Sequence, residues 1–296
     1  MSKFTNSVLG VTGASGHLGR LTIEHLLKSG ATHIVAITRD PAKLADLSAR
    51  GVDVRQGSFD EPASLVAAFK NIERLLIIST DSLGVEGGRK AQHIRAIDAA
   101  EKAGVGHILY TSLTNPYPNP EALIPDDHFW TEARLAAGNF DWSVLRNNLY
   151  VDGFLESGKQ AITGGKLYHA SGTTGRSYVT RADCAAAAAG ALLTAEGRNI
   201  FDITGPAAVT QGEIAALLTS IAGKPVAAES LPPEAFRSGL AAAGLPAIYA
   251  NLIARFDSDA AQGYYEIVTD AVRRLTGQPA QSVATFLAAN TTALRG

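Results

Sequence analysis

The chain has 296 residues, 46% of them hydrophobic, and its 26 basic side chains against 28 acidic ones give a formal net charge of −2. This length suffices for one large α/β domain, with or without a small addition, and the charge balance leaves no excess of cations to neutralise a nucleic-acid backbone. The single cysteine, Cys184, cannot form an intramolecular disulfide and does not suggest a metal site. We therefore exclude a disulfide scaffold and expect no nucleic-acid partner.

The lengths and positions of the apolar stretches indicate the cellular location of the protein. The first apolar run, Ser7–Val11, begins so close to Met1 that a signal peptide has no room. The longest apolar stretch, Cys184–Leu193, is about half of the ~20 residues that a membrane-spanning helix needs. We expect a cytoplasmic protein without a membrane partner. The sequence is compatible with a homodimer but does not decide the oligomeric state.

Short β-branched runs alternate with amphipathic segments over the first two thirds of the chain. The predicted strands are Val8–Thr12, His33–Thr38, Val52–Gln56, Leu75–Ser79, His107–Ser112, Asp141–Arg146 and Asn199–Thr204. The predicted helices between them are Leu18–Ser29, Pro41–Arg50, Pro62–Lys70, Gly88–Ala103, Asp127–Ala137 and Arg181–Leu193. This alternation predicts an α/β protein with a doubly wound parallel sheet.

The pattern changes near residue 205. We predict a core domain over residues 1–205, with residues 147–180 contributing to the substrate site, and a small, mostly helical C-terminal cap over residues 206–296 on the substrate side. The predicted elements of the cap are the helices Gln211–Ala222, Pro233–Ala243, Ala247–Gln262 and Gln281–Ala289 and the strand Pro225–Glu229. We expect the cap to pack against the carboxyl edge of the sheet, where open α/β folds bind their ligands.

A glycine-rich turn follows the first predicted strand and opens the first predicted helix. Gly13 permits a tight turn, Gly16 lets the backbone approach a pyrophosphate, and Gly19 lets the helix lie close to the strand. The alternative is three turn glycines beside an ordinary strand, but the strand–turn–helix context favours a dinucleotide site in a Rossmann core. The residues of this predicted site are Gly13, Ser15, Gly16, His17, Leu18 and Gly19.

The end of the second strand indicates which dinucleotide binds. Arg39 lies twenty residues after Gly19 (39 − 19), about where an acidic residue would bind a ribose 2′-hydroxyl. A guanidinium at this position favours a 2′-phosphate, and Lys43 could add a second charge. NADPH is therefore the predicted cofactor. The alternative is a solvated Arg39, with Asp40 binding the ribose.

The ordered motifs TGASGHLG, VAITRDPAKL, VRQGSFDEPASL, LLIIST, HILYTSL and WSVLRNNLYVDGF extend over most of the chain. Together they resemble the NmrA-like atypical short-chain dehydrogenases, and within that family the NADPH-dependent quinone oxidoreductases of the second type and the triphenylmethane-dye reductases. The resemblance implies that Phe59 and Asp60 lie at the adenine and that Ser79 and Thr80 lie beside the cofactor. It also implies that the nicotinamide is bordered by four residues, Tyr110, Thr111, Ser112 and Asn147.

The tyrosine and lysine that ordinary short-chain dehydrogenases use for proton transfer are missing from the expected place. Those enzymes carry them as Tyr-x-x-x-Lys on the helix after the fifth strand. In the expected register this chain has Phe129 and Ala133, neither of which can transfer a proton, and Arg134 is an imperfect substitute. The sequence therefore argues against an ordinary alcohol-dehydrogenase mechanism.

Four side chains remain as candidate catalytic groups. Each also has a structural interpretation: Ser112 as the cap of a turn, Asn147 as support for a loop, Tyr150 as a core residue and His128 as a surface residue in the first turn of its helix. Reduction of a quinone leaves a phenolate-like oxygen with a pKa of about 10, comparable with tyrosine. Water or one weak donor therefore suffices for such an acceptor.

The predicted function is an NADPH-dependent oxidoreductase that transfers a hydride to a quinone or another conjugated electrophile, a small-molecule acceptor. The alternative is an NAD(P)-binding, redox-sensing regulator without turnover, which the missing dyad permits. An isomerase or epimerase with a retained cofactor fits less well, because such enzymes usually keep the tyrosine that Phe129 replaces.

Overall fold

A computed structural model of the chain describes residues 3–83 and 88–296. The elements of the first half are β1 (Val8–Val11), α1 (His17–Lys28), β2 (His33–Thr38), α2 (Ala45–Ser48), β3 (Asp53–Gln56), α3 (Pro62–Ala68), β4 (Arg74–Ile77), α4 (Gly88–Lys102), β5 (His107–Leu113), α5 (Ile124–Ala136) and β6 (Asp141–Asn147). The elements of the second half are α6 (Phe154–Gly164), β7 (Lys166–His169), α7 (Arg181–Thr194), β8 (Arg198–Ile203), α8 (Gln211–Ala222), β9 (Ala227–Ser230), α9 (Pro233–Ala242), α10 (Ala247–Ala261), α11 (Ala271–Thr276), α12 (Val283–Ala289) and α13 (Thr291–Arg295).

In the described part of the chain, seven strands form one sheet in the order β3-β2-β1-β4-β5-β6-β8, and every neighbouring pair is parallel. Because β1 lies between β2 and β4, the winding of the chain reverses between β1 and β4. The prediction of a doubly wound parallel sheet is confirmed. Ligands bind such sheets at the carboxyl ends of the strands on either side of this reversal.

Helices cover both faces of the sheet, each over its own apolar core. One core contains Ile23 and Leu26 of α1 together with the small side chains of α7, among them Ala188. The other contains Leu65 of α3 and Ile97 of α4 under the opposite face. The alanines of α7 allow close packing, and a side chain at Gly190 would lie 2.1 Å from the backbone oxygen of Leu275 in α11. The C-terminal segment therefore returns to the sheet domain at α11.

A second lobe is built from two separate parts of the chain. Strand β7 pairs in parallel with β9, 61 residues later (Lys166 with Ala227). The core of this lobe joins Val151 and Tyr178 from the segment after β6 with Ile214 and Leu218 of α8. Residues of the 147–180 region and of the C-terminal helices thus share one apolar core.

Several elements differ from the sequence-based expectation. The predicted helix Pro41–Arg50 is instead a 3-10 turn (Pro41–Leu44) followed by the short α2, and each of the two contributes one buried leucine, Leu44 and Leu47. Elements α6, β7, α11 and α13 were not predicted. Among the described residues, no helix is long and apolar enough to cross a membrane.

Candidate active site

A cleft of about 640 Å³ opens at the carboxyl edge of the sheet, beside the ends of the neighbouring strands β1 and β4. Elements from both halves of the core line it, as the reversal of winding leads one to expect. The predicted site residues that line the cleft are Gly13, Ser15, Gly16, His17, Leu18, Gly19, Arg39, Lys43, Phe59, Asp60, Ser79, Thr80, Thr111 and Tyr150.

The glycine-rich turn has the geometry that a dinucleotide needs. Gly13 has a φ of +60°, which side-chain-bearing residues rarely adopt, and a Cβ atom on Gly19 would lie 2.4 Å from the Gly13 carbonyl oxygen. Gly16 caps α1 without a side-chain hydrogen bond, and the first turn of α1 contains no acidic residue. The first backbone N–H groups of α1 are therefore available to an anion, the arrangement that holds a pyrophosphate.

Two cations line the adjoining wall. Arg39 and Lys43 are exposed, and within residues 3–83 and 88–296 neither side chain forms an ion pair. Asp40 accepts the backbone N–H of Ala42 at 3.2 Å and does not line the cleft. Two unpaired cations beside a phosphate-binding turn fit a 2′-phosphate. Asp40, the carboxylate that the alternative assigned to the ribose hydroxyl, is not on this wall of the cleft.

Thr80, which follows β4, is held in place by one face of α4. The backbone N–H of Thr80 donates to His93 Nε2 at 3.0 Å, its carbonyl accepts from Arg89 Nε at 2.6 Å, and its hydroxyl donates to Gln92 Oε1 at 2.8 Å. Arg89, Gln92 and His93 fall on one side of the helix because they are three and four residues apart. This clamp fixes the backbone of Thr80 on the floor of the cleft.

The same face of α4 also holds the loop after β3. Gln92 Nε2 donates to both oxygens of Asp60 at 2.9 and 3.1 Å, and Arg95 donates to Asp60 and to the carbonyl of Phe59 at 3.1 and 2.7 Å. The carboxylate of Asp60 is thus already engaged by protein groups. The sequence analysis missed this clamp, although three polar residues (Arg89, Gln92 and His93) on the helix face that otherwise carries Ala96, Ile97 and Ala100 were a signal for it.

The end of β5 sends its side chains in two directions, because successive residues of a strand alternate. Thr111 Oγ1 accepts the backbone N–H of Ser79 at 2.9 Å and lines the cleft. Tyr110 and Ser112 point to the other side, where Ser112 donates to the Glu132 carboxylate of α5 at 2.6 Å. The expectations that Tyr110 borders the cofactor and that Ser112 donates to an acceptor are therefore not met by these side chains.

Buried beneath the cleft lies a network of neutral histidines. Tyr110 Oη is 2.7 Å from His128 Nδ1, and His128 Nε2 accepts from Arg89 at 3.0 Å. Burial, with the nearby Arg89 guanidinium, lowers the pKa of His93 and of His128 well below the usual value. Because Arg89 and the Thr80 N–H can only donate, both imidazoles carry their proton on Nδ1. His128 is a fixed member of this network and neither a surface residue nor part of the cleft wall.

Tyr150 and Asn147 lie together at the opposite end of the cleft from Lys43. Asn147, at the end of β6, is only 4% exposed, and its Nδ2 donates to the Tyr150 hydroxyl at 2.9 Å. Its buried Oδ1 has no hydrogen-bond partner among the described residues. Burial raises the pKa of Tyr150 above its usual value, so the hydroxyl stays protonated. Within residues 3–83 and 88–296 its proton has no acceptor, which leaves it available to a ligand.

The positions expected for the missing dyad do not face the cleft. Phe129 is half-buried against Trp130, Ala133 is exposed, and neither lines the cleft. The residues four apart on α5 that do face β5 are His128 and Glu132. A tyrosine–lysine pair is thus missing from the α5 face that contacts the sheet.

The family of the chain is decided by comparison with known proteins. A family model described as NAD(P)H-binding matches residues 13–195, which include the glycine turn, the α4 clamp and Tyr150. The chain belongs to this NAD(P)H-binding family. The glycine turn and the residues on either side of it fit such a cofactor, as argued above from their geometry.

Within the NAD(P)H-binding family, several relatives match over nearly their whole length. Quinone oxidoreductase 2 of Escherichia coli is 37% identical over 94% of this chain and 96% of its own. A solved structure of NADPH-dependent quinone oxidoreductase from that organism, in complex with NADPH, has a TM-score of 0.89 at 34% identity and covers 95% of this chain and 99% of its own. The triphenylmethane reductase of a Citrobacter species, solved with NADP(H), has a TM-score of 0.86 at 29% identity, again with 95% and 99% covered. The resemblance seen in the sequence motifs is thereby confirmed.

Proposed function

We propose that this protein is an NADPH-dependent reductase that transfers a hydride to quinones or related conjugated electrophiles. The observation that carries the proposal is one cleft with two differently built ends. Its phosphate end consists of the glycine turn with Arg39 and Lys43, and its acceptor end has Tyr150 on the wall, with Asn147 buried behind it and outside the cleft lining. The relatives named as reductases of quinones and of triphenylmethane dyes support the same class of activity.

Each end has a distinct role in this proposal. At the phosphate end the N–H groups that open α1 hold the pyrophosphate, and Arg39 and Lys43 hold the 2′-phosphate. NADPH supplies the hydride when it is bound. At the acceptor end Tyr150 donates a hydrogen bond to the acceptor oxygen, and Asn147 fixes the direction of that hydroxyl.

The chemistry of the acceptor explains why a conventional dyad is unnecessary. A quinone or a cationic dye stabilises the charge that hydride transfer delivers, whereas an unactivated ketone leaves a strongly basic alkoxide. A reduced quinone is a phenolate-like base with a pKa of about 10, which a tyrosine hydroxyl or water can protonate. The cleft therefore favours electrophilic acceptors over simple ketones.

A screen of NADPH oxidation against quinones, cationic dyes and plain ketones tests the proposed activity. We expect turnover with at least one quinone and little with unactivated ketones. The redox-sensing regulator predicts a different result, because such a protein would bind NADPH tightly and oxidise it with none of these acceptors. The two functions are thus separated by measuring binding and turnover on the same preparation.

Cofactor preference tests the phosphate end by itself. We expect NADPH to bind more tightly than NADH and Arg39→Ala to remove much of the difference, since a hydrogen bond to a charged group contributes about 1.5–3 kcal/mol, or roughly tenfold or more in affinity. Fluorescence titration of the two cofactors measures this directly. Arg237→Ala, on the exposed surface of α9, is the matched control. Equal affinity of the wild type for both cofactors would contradict the assignment.

A further inference from the structure

Arg181 brings a positive charge to the acceptor end of the cleft. It is the first residue of α7, its side chain is 34% exposed, and it lines the cleft beside Tyr150. The Cζ atom of its guanidinium lies 5.2 Å from the centroid of the Tyr150 ring. This distance is within the range in which a cation interacts with the face of an aromatic ring.

The guanidinium of Arg181 has one long ion pair and no hydrogen bond among the described residues. Its nearest carboxylate oxygen, Oδ1 of Asp152, is 3.8 Å away, and the other oxygen of Asp152 accepts the backbone N–H of Arg181 itself at 2.9 Å. Within residues 3–83 and 88–296 the guanidinium makes no hydrogen bond. Arg146, by contrast, is held by Glu132 through two bonds of 2.6 and 3.0 Å. The Arg181 guanidinium is therefore available to stabilise negative charge on Tyr150.

The two residues meet because of the fold around them. Tyr150 forms a β-bridge with Val179, and Val151 N–H donates to the Val179 carbonyl at 3.0 Å. Thr180 then caps α7 by accepting the N–H of Asp183 at 2.9 Å, which starts the helix at Arg181. The bridge and the cap together place the start of α7 beside Tyr150, and the guanidinium lies over the ring.

We propose that Arg181 and Tyr150 form the proton-donating pair of the site, with Tyr150 donating its proton to the acceptor oxygen and Arg181 stabilising the tyrosinate that remains. This inference rests on the proposed reductase function. It gives the role of the missing dyad to residues on two other elements, the segment after β6 and the start of α7. Arg181 acts through Tyr150 and is a positioning residue rather than a group that touches the acceptor.

The proposed step balances for a quinone. Hydride addition brings two electrons and one hydrogen to the quinone and leaves an anionic oxygen. The Tyr150 O–H bond then breaks as the new O–H bond of the hydroquinone forms, and water returns the proton to the tyrosinate. Burial and the nearby Cys184 and Asp152 raise the pKa of Tyr150, whereas Asn147 and Arg181 lower it. The cation thus opposes the main cost of forming a buried tyrosinate.

The test compares an acceptor that needs a proton with one that does not. A neutral quinone needs a hydride and a proton, whereas a cationic triarylmethane dye becomes the neutral leuco dye on receiving the hydride alone. In Tyr150→Phe and in Arg181→Gln we expect the ratio of quinone turnover to dye turnover to fall severalfold, up to about tenfold. This is less than the ~10²–10⁴-fold that a positioned general acid contributes where protonation is demanding, because water can partly replace the donor for a phenolate-like product. The NADPH dissociation constant, followed by fluorescence, should stay within about twofold of the wild type because neither residue belongs to the phosphate end.

Three further measurements separate a proton-transfer role from a structural one. Arg181→Lys should recover part of the quinone turnover, and added guanidinium ions should raise the quinone turnover of Arg181→Ala. Arg237→Gln, on the surface of α9, is the matched control and should change neither acceptor. If the wild type does not reduce the dye, the rescue of Arg181→Ala with the quinone decides the question, and failure of that rescue overturns the proposal.

Other outcomes would also overturn the pair. An equal loss with both acceptors, or weaker NADPH binding, would show that Arg181 serves the cofactor or the fold. A loss confined to acceptors with an anionic substituent would make Arg181 a binding residue for that substituent. A wild type that reduces quinones while Arg181→Gln loses nothing overturns the pair alone, whereas a wild type that reduces no quinone overturns the proposed function as well.

Discussion

The two ends of the cleft are built on opposite principles. The phosphate end consists of the backbone amides of one glycine turn and of two exposed cations that lack partners among the described residues. The acceptor end consists of buried or half-buried side chains that contact one another, Asn147 and Tyr150 from the segment at the end of β6 and Arg181 from the start of α7. The phosphate end therefore depends on local backbone geometry, and the acceptor end depends on tertiary packing.

Gly16→Val attacks the phosphate end and should have the largest effect. The added side chain would occupy the place where the backbone must meet a pyrophosphate, so we expect loss of measurable NADPH binding. Folding should persist, because a Cβ atom at this position is in tight but tolerable contact, 3.3 Å from the Gly13 carbonyl oxygen. Fluorescence titration and thermal unfolding measure the two properties separately.

Gly212→Val is the matched control for this substitution. Gly212 lies in the first turn of α8, and the nearest atom to an added Cβ there is 3.8 Å away. Binding should be unchanged in that variant. Unchanged NADPH affinity in Gly16→Val would place the phosphate site elsewhere in the molecule. It would also contradict the proposed difference between the two ends.

Asp257→Ala removes a buried charge that supports the acceptor end. Asp257 of α10 accepts from Arg176 at 2.5 Å and from the backbone N–H of Ala170 at 2.6 Å, and Arg176 belongs to the segment that leads to Val179, the partner of Tyr150. Loss of one partner from a buried ion pair costs about 3–5 kcal/mol because the other charge is left uncompensated. Urea unfolding, followed by circular dichroism, measures this loss.

Asp270→Ala supplies the comparison for Asp257→Ala. Asp270 pairs with Arg274, but both side chains are largely exposed, so its removal should change stability by less than about 1 kcal/mol. Equal free energies of unfolding for the two variants would mean that the buried ion pair of Asp257 does not stabilise the C-terminal lobe. The acceptor end would then not depend on tertiary packing in the way we propose.

The difference between the two ends also explains what the sequence could predict. The glycine turn and the alternation of strands and helices are local patterns, and the sheet and the phosphate end were predicted from them. Asn147 and Tyr150 were found as candidates because they follow the end of a predicted strand. The proximity of Arg181 to Tyr150, by contrast, depends on a bridge between segments about thirty residues apart, which no local pattern shows.

The second lobe was harder to predict for the same reason. Strand β7 has only four residues and pairs with β9 across a long separation in sequence, so its existence depends on a partner that the local pattern does not identify. The side of α5 that faces β5 could not be predicted from local pattern either. The expected register put Phe129 and Ala133 on that side, but His128 and Glu132 lie there. A shift of one residue on a helix rotates each side chain by about 100°.

The buried histidines predict acid sensitivity of the region between the two ends. The unfolded imidazoles of His93 and His128 take up protons near pH 6.5, whereas their folded pKa values are lowered by burial and by Arg89. The free energy of unfolding should therefore be unaffected by these groups above about pH 6.5 and should fall by up to about 1.4 kcal/mol per pH unit for each histidine below it.

Denaturation curves between pH 7 and pH 5 measure this slope. His93→Gln keeps an acceptor for the N–H of Thr80 and should remove about half of the acid-dependent loss that we assign to the pair. His33→Gln, at the exposed start of β2, is the control. A slope that is the same in all three proteins would mean that the buried network does not exclude protons.

The smallest effect is expected on α5, where the conventional dyad would lie. Phe129→Tyr, alone or with Ala133→Lys, restores the residue types of the dyad, but the structure turns Ala133 to solvent and puts neither residue on the wall of the cleft. Quinone turnover should stay within about twofold of the wild type and plain ketones should remain poor acceptors, because a general acid contributes its ~10²–10⁴-fold only when it lies within reach of the reacting oxygen. Steady-state rates with one quinone and one ketone measure both. Clear ketone reduction in the double variant would show that this face of α5 reaches the acceptor, and Tyr150 would then no longer be needed as the donor.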